Sequence, residues 1–409
     1  MRRLPGDAKD NGRLIKTARE EAGLSVKELA QKAGLSENTI RNAERGDDNP
    51  TIKSLRRIEL VTGSIRSRGH NERLEFLWTF SQLRAYDENK IKTELHMACT
   101  NNGGWIPHEY LPLSNTGADT ALAHYKQTNY RSTLEKQEAH LLNISTIIAN
   151  TIRKKRIHII CLTCGHGWID LNFIRRLVDL NEQRVVVEVI HPSHALLERG
   201  IQHAIAMFSG IDHVSLKFYV GDFESIFPMI VHQYDIGEYR RIVCILGPLD
   251  NYDRDVQLMR LLYESLMDGD LLLFDTLDPQ LATDDECVIR DRDPRLNQSL
   301  PRDWTEGTYQ RIHVVLSEQL PRPASISMAT QMLSRRRMSA ELADYAVELV
   351  ATVDDGVRPP WRVSGMRIYR RPMARVIAQM SRIGWRLVHA ESCPHDAVTY
   401  NTPLYLFAR

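Results

Sequence analysis

Cysteine is scarce in this chain. Cys99, Cys161, Cys164, Cys244, Cys287 and Cys393 are the only six in 409 residues. Their spacing makes no disulfide framework, which excludes a small stapled secreted scaffold. A reducing setting fits better, so a cytoplasmic location is expected. Long apolar runs are lacking too, so no segment is expected to cross a bilayer and no membrane partner follows. Arg2 and Arg3 make a basic start, but no apolar core comes after them, so no secretory leader is expected. Charge of one sign is not in excess: 53 basic and 52 acidic residues leave a net charge of +1. The whole molecule therefore exerts no field that gathers a polyanion, and any nucleic-acid contact must come from a locally basic module. Metal-ligand spacing is missing as well. Cys161 and Cys164 form one CxxC without a second, His158, His166, His191 and His194 are scattered near strand ends, and no metal is expected.

What is present is ordinary soluble composition, 43% hydrophobic and 26% charged. The length calls for two or three domains. The pattern divides the chain into residues 1–66, a helical linker or dimerisation region over 67–125, and a large domain over 126–409.

The stretch from Gly12 to about Gly63 reads as four or five short helices. Ile15 and Ala18 share one face of the first, and Gly23 supplies the left-handed conformation that ends it. Ser25 stands three residues before Glu28, a capping-box signature. Ala30 and Gly34 let two helices approach closely at a steep angle. Ile40 and Ala43 anchor the next helix, and Leu55, Ile58 and Val61 recur at helical spacing. The helix from Glu37 to about Glu44 is then presented outward, where a major groove can receive it. Its outward positions are Glu37, Asn38, Thr39, Arg41, Asn42 and Arg45. Asn and Arg there suit base edges, Ser36 and Thr39 suit phosphate, and Lys27 and Lys53 are further backbone contacts.

The phrase LSVKELAQKAGLSENTIRNAERG resembles the phage-repressor or xenobiotic-response-element family of helix-turn-helix domains. The resemblance implies a five-helix module that binds palindromic operators in double-stranded DNA as a homodimer. One departure is Val26, where that family often carries Gln against the DNA. The alternative is a protein-interaction or dimerisation module of the same fold.

Between Ser67 and Arg156, ERLEFLWTFSQLRAY and YRSTLEKQEAHLLNISTIIANTIRKKR carry helical periodicity, separated by a loop rich in Gly, Pro and Asn. From Arg156 the periodicity changes. IHIICLT, RVVVEVI, VSLKFYV, RIVCIL and DLLLFD are short apolar runs, alternating with helical segments. Such alternation predicts an α/β doubly wound parallel sheet covered on both faces. Its ligands lie beyond the carboxyl ends of the strands. The loop Thr163-Cys164-Gly165-His166-Gly167 stands at such an end. The region from Pro321 to Pro360 reads as largely helical and ends in a proline pair typical of a linker.

The strand–GxG–helix opening, Asp222 closing the third strand and the terminal strand pair resemble class I S-adenosylmethionine-dependent methyltransferases. Within them, ILGPLDNYDRDVQLMRLLYESLMDGDLLLFDTLDP is most similar to the histidine Nα-methyltransferase family of ergothioneine synthesis. The resemblance implies S-adenosylmethionine or S-adenosylhomocysteine as cofactor. It places Thr163, Gly165 and Gly167 at the methionine end, Glu188 near the ribose, and Asp222 and Phe223 beside the adenine. It places Gly247 and Asn251 in the loop that receives the amino-acid substrate, with Tyr130 covering the same pocket.

The departures matter as much. Cys161 and Thr163 stand where the family carries an acidic residue and a further Gly. The loop before Asn251 is one residue shorter and holds Pro248 and Asp250. Gly365 to Arg371 offers neither the Glu nor the Ser that holds the family substrate, and Arg367, Arg370 and Arg371 imply either a pocket for an anionic ligand or a solvated face. N-methylation rests mainly on positioning, so these losses do not by themselves exclude it. They favour a DNA-binding regulator whose methyltransferase-like domain senses a small-molecule effector or dimerises. The alternatives are an active methyltransferase for a small amine or amino-acid-like substrate, and a protein-interaction scaffold with an empty cleft.

Overall fold

The computed structural model describes residues 8–47, 54, 58, 88–107, 110–126, 128–152, 155–162, 167–208, 211, 213–234, 238–279, 302–320, 324–334, 340–392 and 400–409. The N-terminal module begins with α1 (Ala8–Glu21), α2 (Val26–Ala33) and α3 (Glu37–Arg45). The Ser25 side chain accepts the Glu28 amide at 3.2 Å while Glu28 accepts the Ser25 amide at 2.8 Å, the reciprocal cap that the spacing predicts. Gly34 ends α2 at φ 61°, a left-handed conformation that costs a residue with a side chain about 1–2 kcal/mol. Ile15, Leu29, Ala30, Ala33, Ile40, Ala43 and Ile58 close one small core. Arg19 ties α1 to α3 through Glu44 at 2.6 Å. Leu55 and Val61, expected in that core, lie outside the described residues.

The large domain follows with α4 (Glu88–Thr100), β1 (Gly104–Trp105), α5 (Asn115–Tyr125), α6 (Thr128–Ile152), β2 (Arg156–Leu162), α7 (Trp168–Asp179), β3 (Val185–His191), α8 (His194–Phe208), β4 (Val214–Val220), α9 (Phe223–Ile230) and β5 (Tyr239–Ile245). Then come a 3-10 turn (Pro248–Asn251), α10 (Asp255–Ser265), β6 (Leu271–Asp275), β7 (Asp278–Pro279), α11 (Arg302–Gln319), β8 (Ser325–Ser334), β9 (Tyr345–Asp354), β10 (Trp361–Arg370), α12 (Met373–Ile383), β11 (Arg386–Glu391), β12 (Tyr400–Asn401) and β13 (Leu404–Ala408).

Seven strands form the main sheet in the order β11-β13-β6-β5-β2-β3-β4. β2 to β6 are mutually parallel, and β13 runs antiparallel to both neighbours. This order, with a reversed last strand, is the class I methyltransferase fold. Ile157, Ile159, Cys161, Val187 and Val189 pack one face under α6, α7 and α8. Ile160, Leu162, Ile190, Val243 and Ile245 pack the other under α9, α10 and α12. Both faces are covered, which is why these strands read as continuous apolar runs rather than alternating ones. Cys161 is thus a buried thiol inside a strand.

One expectation needs correction. The stretch from Pro321 to Pro360 is not largely helical: β8 and β9 lie in it and, with β1 and β10, build a second sheet in the order β1-β10-β9-β8. Its sequence alternates with period two, and Ile326, Met328, Val347, Leu349, Ala351 and Val353 pack one face against α4 and α11. The connecting region, from residue 88 on, packs against this sheet. β1 pairs with β10, and Leu95, Cys99, Ile106 and Leu111 join the core of the second sheet. Ala118 and Ala121 of α5 pack on Ala195 and Leu196 of α8.

Candidate functional site

Two surfaces carry chemistry. On the first, α3 turns Ile40 and Ala43 inward and leaves Asn38, Arg41 and Arg45 exposed, with Glu37, Thr39 and Asn42 half-buried beside them. Ser36 caps the helix, accepting the Thr39 amide at 3.1 Å, and its hydroxyl lies 2.7 Å from that of Thr39. Arg41 reaches Glu37 at 3.4 Å, and Arg45 reaches Asn42 at 2.6 Å and Asp47 at 2.8 Å. All these partners are exposed or half-buried, so the pairs are weak and the arginines remain free to exchange them for another anion. Lys27 is exposed at the start of α2. Lys53 lies outside the described residues.

The second surface is the crevice at the carboxyl ends of β2 and β5. The strand order reverses between these two strands, and an open α/β sheet takes its ligand at such a point. Thr163 and Gly165 lie outside the described residues, and Gly167 opens α7 at φ 78°. Gly247 follows β5 at φ 86°, where a Cβ would meet nothing within 4 Å, so the backbone there is open to a ligand. Its amide donates to Asp275 at 2.6 Å. Asp275 ends β6 and also accepts from Gln137 of α6, which joins three elements through one carboxyl. Burial pushes that carboxyl up to about 6, against its hydrogen bonds. Tyr130 stands in the same helix as Gln137, and its side chain lies outside the described residues.

Asp222 caps α9, accepting from the Glu224 amide at 3.2 Å and the Ser225 hydroxyl at 3.0 Å. The next ring, Phe223, packs on Tyr252 with centroids 5.6 Å apart. Asp222 and Phe223 both stand just after the carboxyl end of β4.

Glu188 is not brought there. It stands mid-strand, three residues before β3 ends at His191, and is fully buried. His158 lies 2.8 Å away, Lys217 3.1 Å and Tyr219 3.0 Å. Burial pushes Glu188 up, but the bond to His158 and the charge of Lys217 outweigh it and hold the carboxyl below its ordinary value. This glutamate is an internal tie between β2, β3 and β4. At the strand end stands His191, whose Nδ1 accepts the Ser193 amide at 2.9 Å.

Nor do Arg367 and Arg370 make one pocket. Strand alternation puts them on opposite faces of β10. Arg370 is buried on the face that packs against α11, with Met366 and Ile368. Arg371 is no solvated residue either: it is fully buried, 3.0 Å from Asp255, and donates to the Tyr252 carbonyl at 2.7 Å. Arg367 faces the crevice side, pairs with Glu348 at 2.7 Å and stacks over Trp105 at 5.1 Å. Glu348 also accepts from Ser364 at 2.6 Å and from Gln331. Burial pushes Glu348 up, but these three hydrogen bonds outweigh it and hold the carboxyl low.

Four residues of this wall escaped sequence reasoning: Trp105, Asp275, Glu348 and Tyr369. Period-two alternation in the second sheet was the signal that could have found Glu348 and Tyr369. Asp275 stood in the quoted DLLLFD run, at the strand end where ligands gather.

The fold implies S-adenosylmethionine, and the described residues fit it only in part. Asp222 and Phe223 at the end of β4 suit an adenine. A sugar diol is commonly held by a carboxylate at the end of the second strand. Here that place holds His191, and Glu188 is turned into the sheet.

The helix-turn-helix family matches residues 15–66. No curated protein matches the chain. Among solved structures, magnesium protoporphyrin IX methyltransferase from Synechocystis with bound SAH is similar at 10% identity and TM-score 0.40, over 73% of this chain and 96% of that one. A S-adenosylmethionine-dependent methyltransferase from Clostridium acetobutylicum is similar at 11% identity and TM-score 0.38, over 71% and 98%. The cyclase SpnF is similar at 9% identity and TM-score 0.35, over 66% and 81%. Among the described residues no helix is long and apolar enough to cross a membrane.

Proposed function

We propose that this chain is a DNA-binding transcriptional regulator whose methyltransferase-like domain senses a small molecule. The observation that carries the reading is α3, capped by Ser36, with Ile40 and Ala43 buried and Asn38, Arg41 and Arg45 exposed on the opposite side. A helix so presented enters a major groove, and its Asn and Arg side chains suit adenine and guanine edges. Two such helices must meet successive grooves, so the regulator acts as a homodimer on an inverted repeat. The crevice at Gly247, Asp222 and Phe223 takes the effector. An effector changes operator affinity only if it binds two arrangements of the dimer unequally.

A second reading is an active methyltransferase for a small amine. An acid and a ring at the end of β4, Asp222 and Phe223, support it, since such a pair suits an adenine; Gly167 and Gly247 would line the rest of the cofactor. When bound, that cofactor supplies an electrophilic methyl group. The withdrawal of Glu188 into the sheet weighs against tight retention and favours sensing.

The test starts from full-length protein and a randomised DNA duplex. Selection is expected to enrich an inverted repeat with half-sites about 10 base pairs apart, or a multiple of that. Affinity for the enriched duplex is then measured with and without S-adenosylhomocysteine or S-adenosylmethionine, with an expected change of about 5-fold or more. No enriched sequence sinks the regulator. Methyl transfer to an amine panel, with no ligand effect on DNA, puts the enzyme in its place.

A further inference from the structure

The second sheet turns one face toward the loop 247–252, and that face is short of hydrogen-bond acceptors. Tyr369 is fully buried on β10. Its hydroxyl lies near the Arg367 guanidinium, which has no acceptor to offer, so the phenol proton remains to be given away. Among the described residues nothing accepts that proton. The indole N–H of Trp105, under Arg367, and the hydroxyl of Tyr252 are likewise buried with no acceptor among the described residues. The Asn251 side-chain oxygen is buried without a donor. Glu348 accepts from Gln331, Ser364 and Arg367, and neither Tyr369, Trp105 nor Tyr252 reaches it.

Buried polar groups almost always find partners, and each one left alone is destabilising. Three unanswered donors and one unanswered acceptor along one wall are therefore too many for packing alone. They belong to β1, β10 and the loop after β5, which are joined by Arg367 stacking on Trp105 and by Arg371 reaching both the Tyr369 ring, at 5.0 Å, and the Tyr252 carbonyl. Negative charge comes from Glu348 and Asp253, and Asp253 together with burial pushes the Tyr369 phenol up to about 12. Arg367 and Arg371 offset both. The wall is thus near neutral overall but rich in donors, and it selects by hydrogen bonds rather than by field.

We infer that this wall is a subsite for the carboxylate of a small, planar or aromatic ligand, with Tyr369, Trp105 and Tyr252 donating to it and Arg367 beside it. The inference rests on the reading of the crevice as a ligand site. Planarity follows from the rings: Phe223 packs on Tyr252, and Trp105 and Tyr369 flank Arg367.

The experiment titrates full-length protein with sodium benzoate, with benzylamine and, separately, with S-adenosylhomocysteine, by calorimetry and thermal shift. Benzoate is expected to bind and raise the melting temperature, and benzylamine is not. Tyr369→Phe is expected to weaken benzoate about ten-fold and leave S-adenosylhomocysteine binding unchanged. Without ligand, the same variant is expected to melt at or above the wild-type temperature, because the lost hydroxyl had no acceptor. A fall of several degrees instead gives that hydroxyl a structural partner and overturns the inference, as does benzylamine binding as well as benzoate. If S-adenosylhomocysteine binds and benzoate does not, only the carboxylate subsite falls. If neither binds, the ligand-sensing reading of the domain falls with it.

Discussion

The N-terminal module and the crevice are held together in different ways. In the module, most ties are local: Ser25 with Glu28, Ser36 with Thr39, Arg41 with Glu37. Around the crevice, single carboxylates reach across long stretches of chain. Asp255 meets Arg371, 116 residues away, and Asp275 meets Gln137, 138 residues away. Local ties fix one helix end each and are worth little apiece. The distant ones fix the position of whole layers, and losing one partner strands a buried charge. The comparison predicts that disruption grows with the sequence separation of the tie.

The largest effect is expected at Asp255. Its carboxylate accepts Arg371 Nε at 3.0 Å and the amides of Glu341 and Leu342 at 3.0 and 3.2 Å, with both ion-pair partners fully buried. Asp255→Ala strands the Arg371 charge and is expected to cost about 3–5 kcal/mol. None of the six tryptophans lies in residues 1–66, so tryptophan fluorescence in urea leaves out the N-terminal module. A loss below about 1 kcal/mol breaks the contrast at its strongest point.

Next is Asp275, where the effect depends on pH. Its folded-state value is raised to about 6, above the usual range near 4 for an unfolded Asp. The native state therefore binds the proton more tightly than the unfolded chain does. The stabilisation is fully present below about pH 4 and is lost as pH rises through about 6, a difference of at most about 3 kcal/mol. Asp275→Asn is expected to remove that slope, so its unfolding midpoint varies less between pH 4 and 7 than the wild type's. An unchanged slope means that another group titrates there.

These distant ties also explain which parts of the molecule were legible. The capping box, the glycine helix end and the outward face of α3 follow from residues within a few positions of one another, so the pattern LSVKELAQKAGLSENTIRNAERG shows them directly. The parallel sheet is legible for a similar reason, since each apolar run is local. Glu188 is not legible in this way, because burial is not written beside it: His158 and Lys217 from neighbouring strands hold it inside the sheet. Arg367 and Arg370 lie on one strand, where alternation sends them to opposite faces, and the proline pair before it hides that strand. The Trp105–Arg367 contact joins residues on β1 and β10, far apart in the chain, and no local pattern announces it.

The module has one tie of intermediate reach, and it tests the rule from the other side. Arg19 and Glu44 are 25 residues apart, and their side chains are only 12% and 10% exposed. The hydrogen bond to Glu44 holds the Arg19 guanidinium above its ordinary value. Glu44→Ala is expected to destabilise the module by about 2 kcal/mol, between the surface and buried limits. Hydrogen exchange of α1 and α3 in the full-length chain measures it. Protection should fall in both helices while the large domain is unaffected; loss confined to α3 reduces the pair to a local contact.

The smallest effect belongs to the shortest tie. Ser36 caps α3 by accepting the Thr39 amide, and both groups are exposed or half-buried, so water can replace what is removed. Ser36→Ala is expected to cost about 1 kcal/mol, the usual worth of an N-cap. The faster exchange should be confined to the first turn of α3, with α1 and α2 unchanged. Because the recognition face begins at that turn, operator binding is expected to weaken by no more than about ten-fold, since 1.4 kcal/mol corresponds to a factor of ten. A much larger loss, with exchange otherwise unchanged, assigns Ser36 to a phosphate rather than to the helix. The rule of reach would then stand for the fold of the module and fail for its contact with DNA.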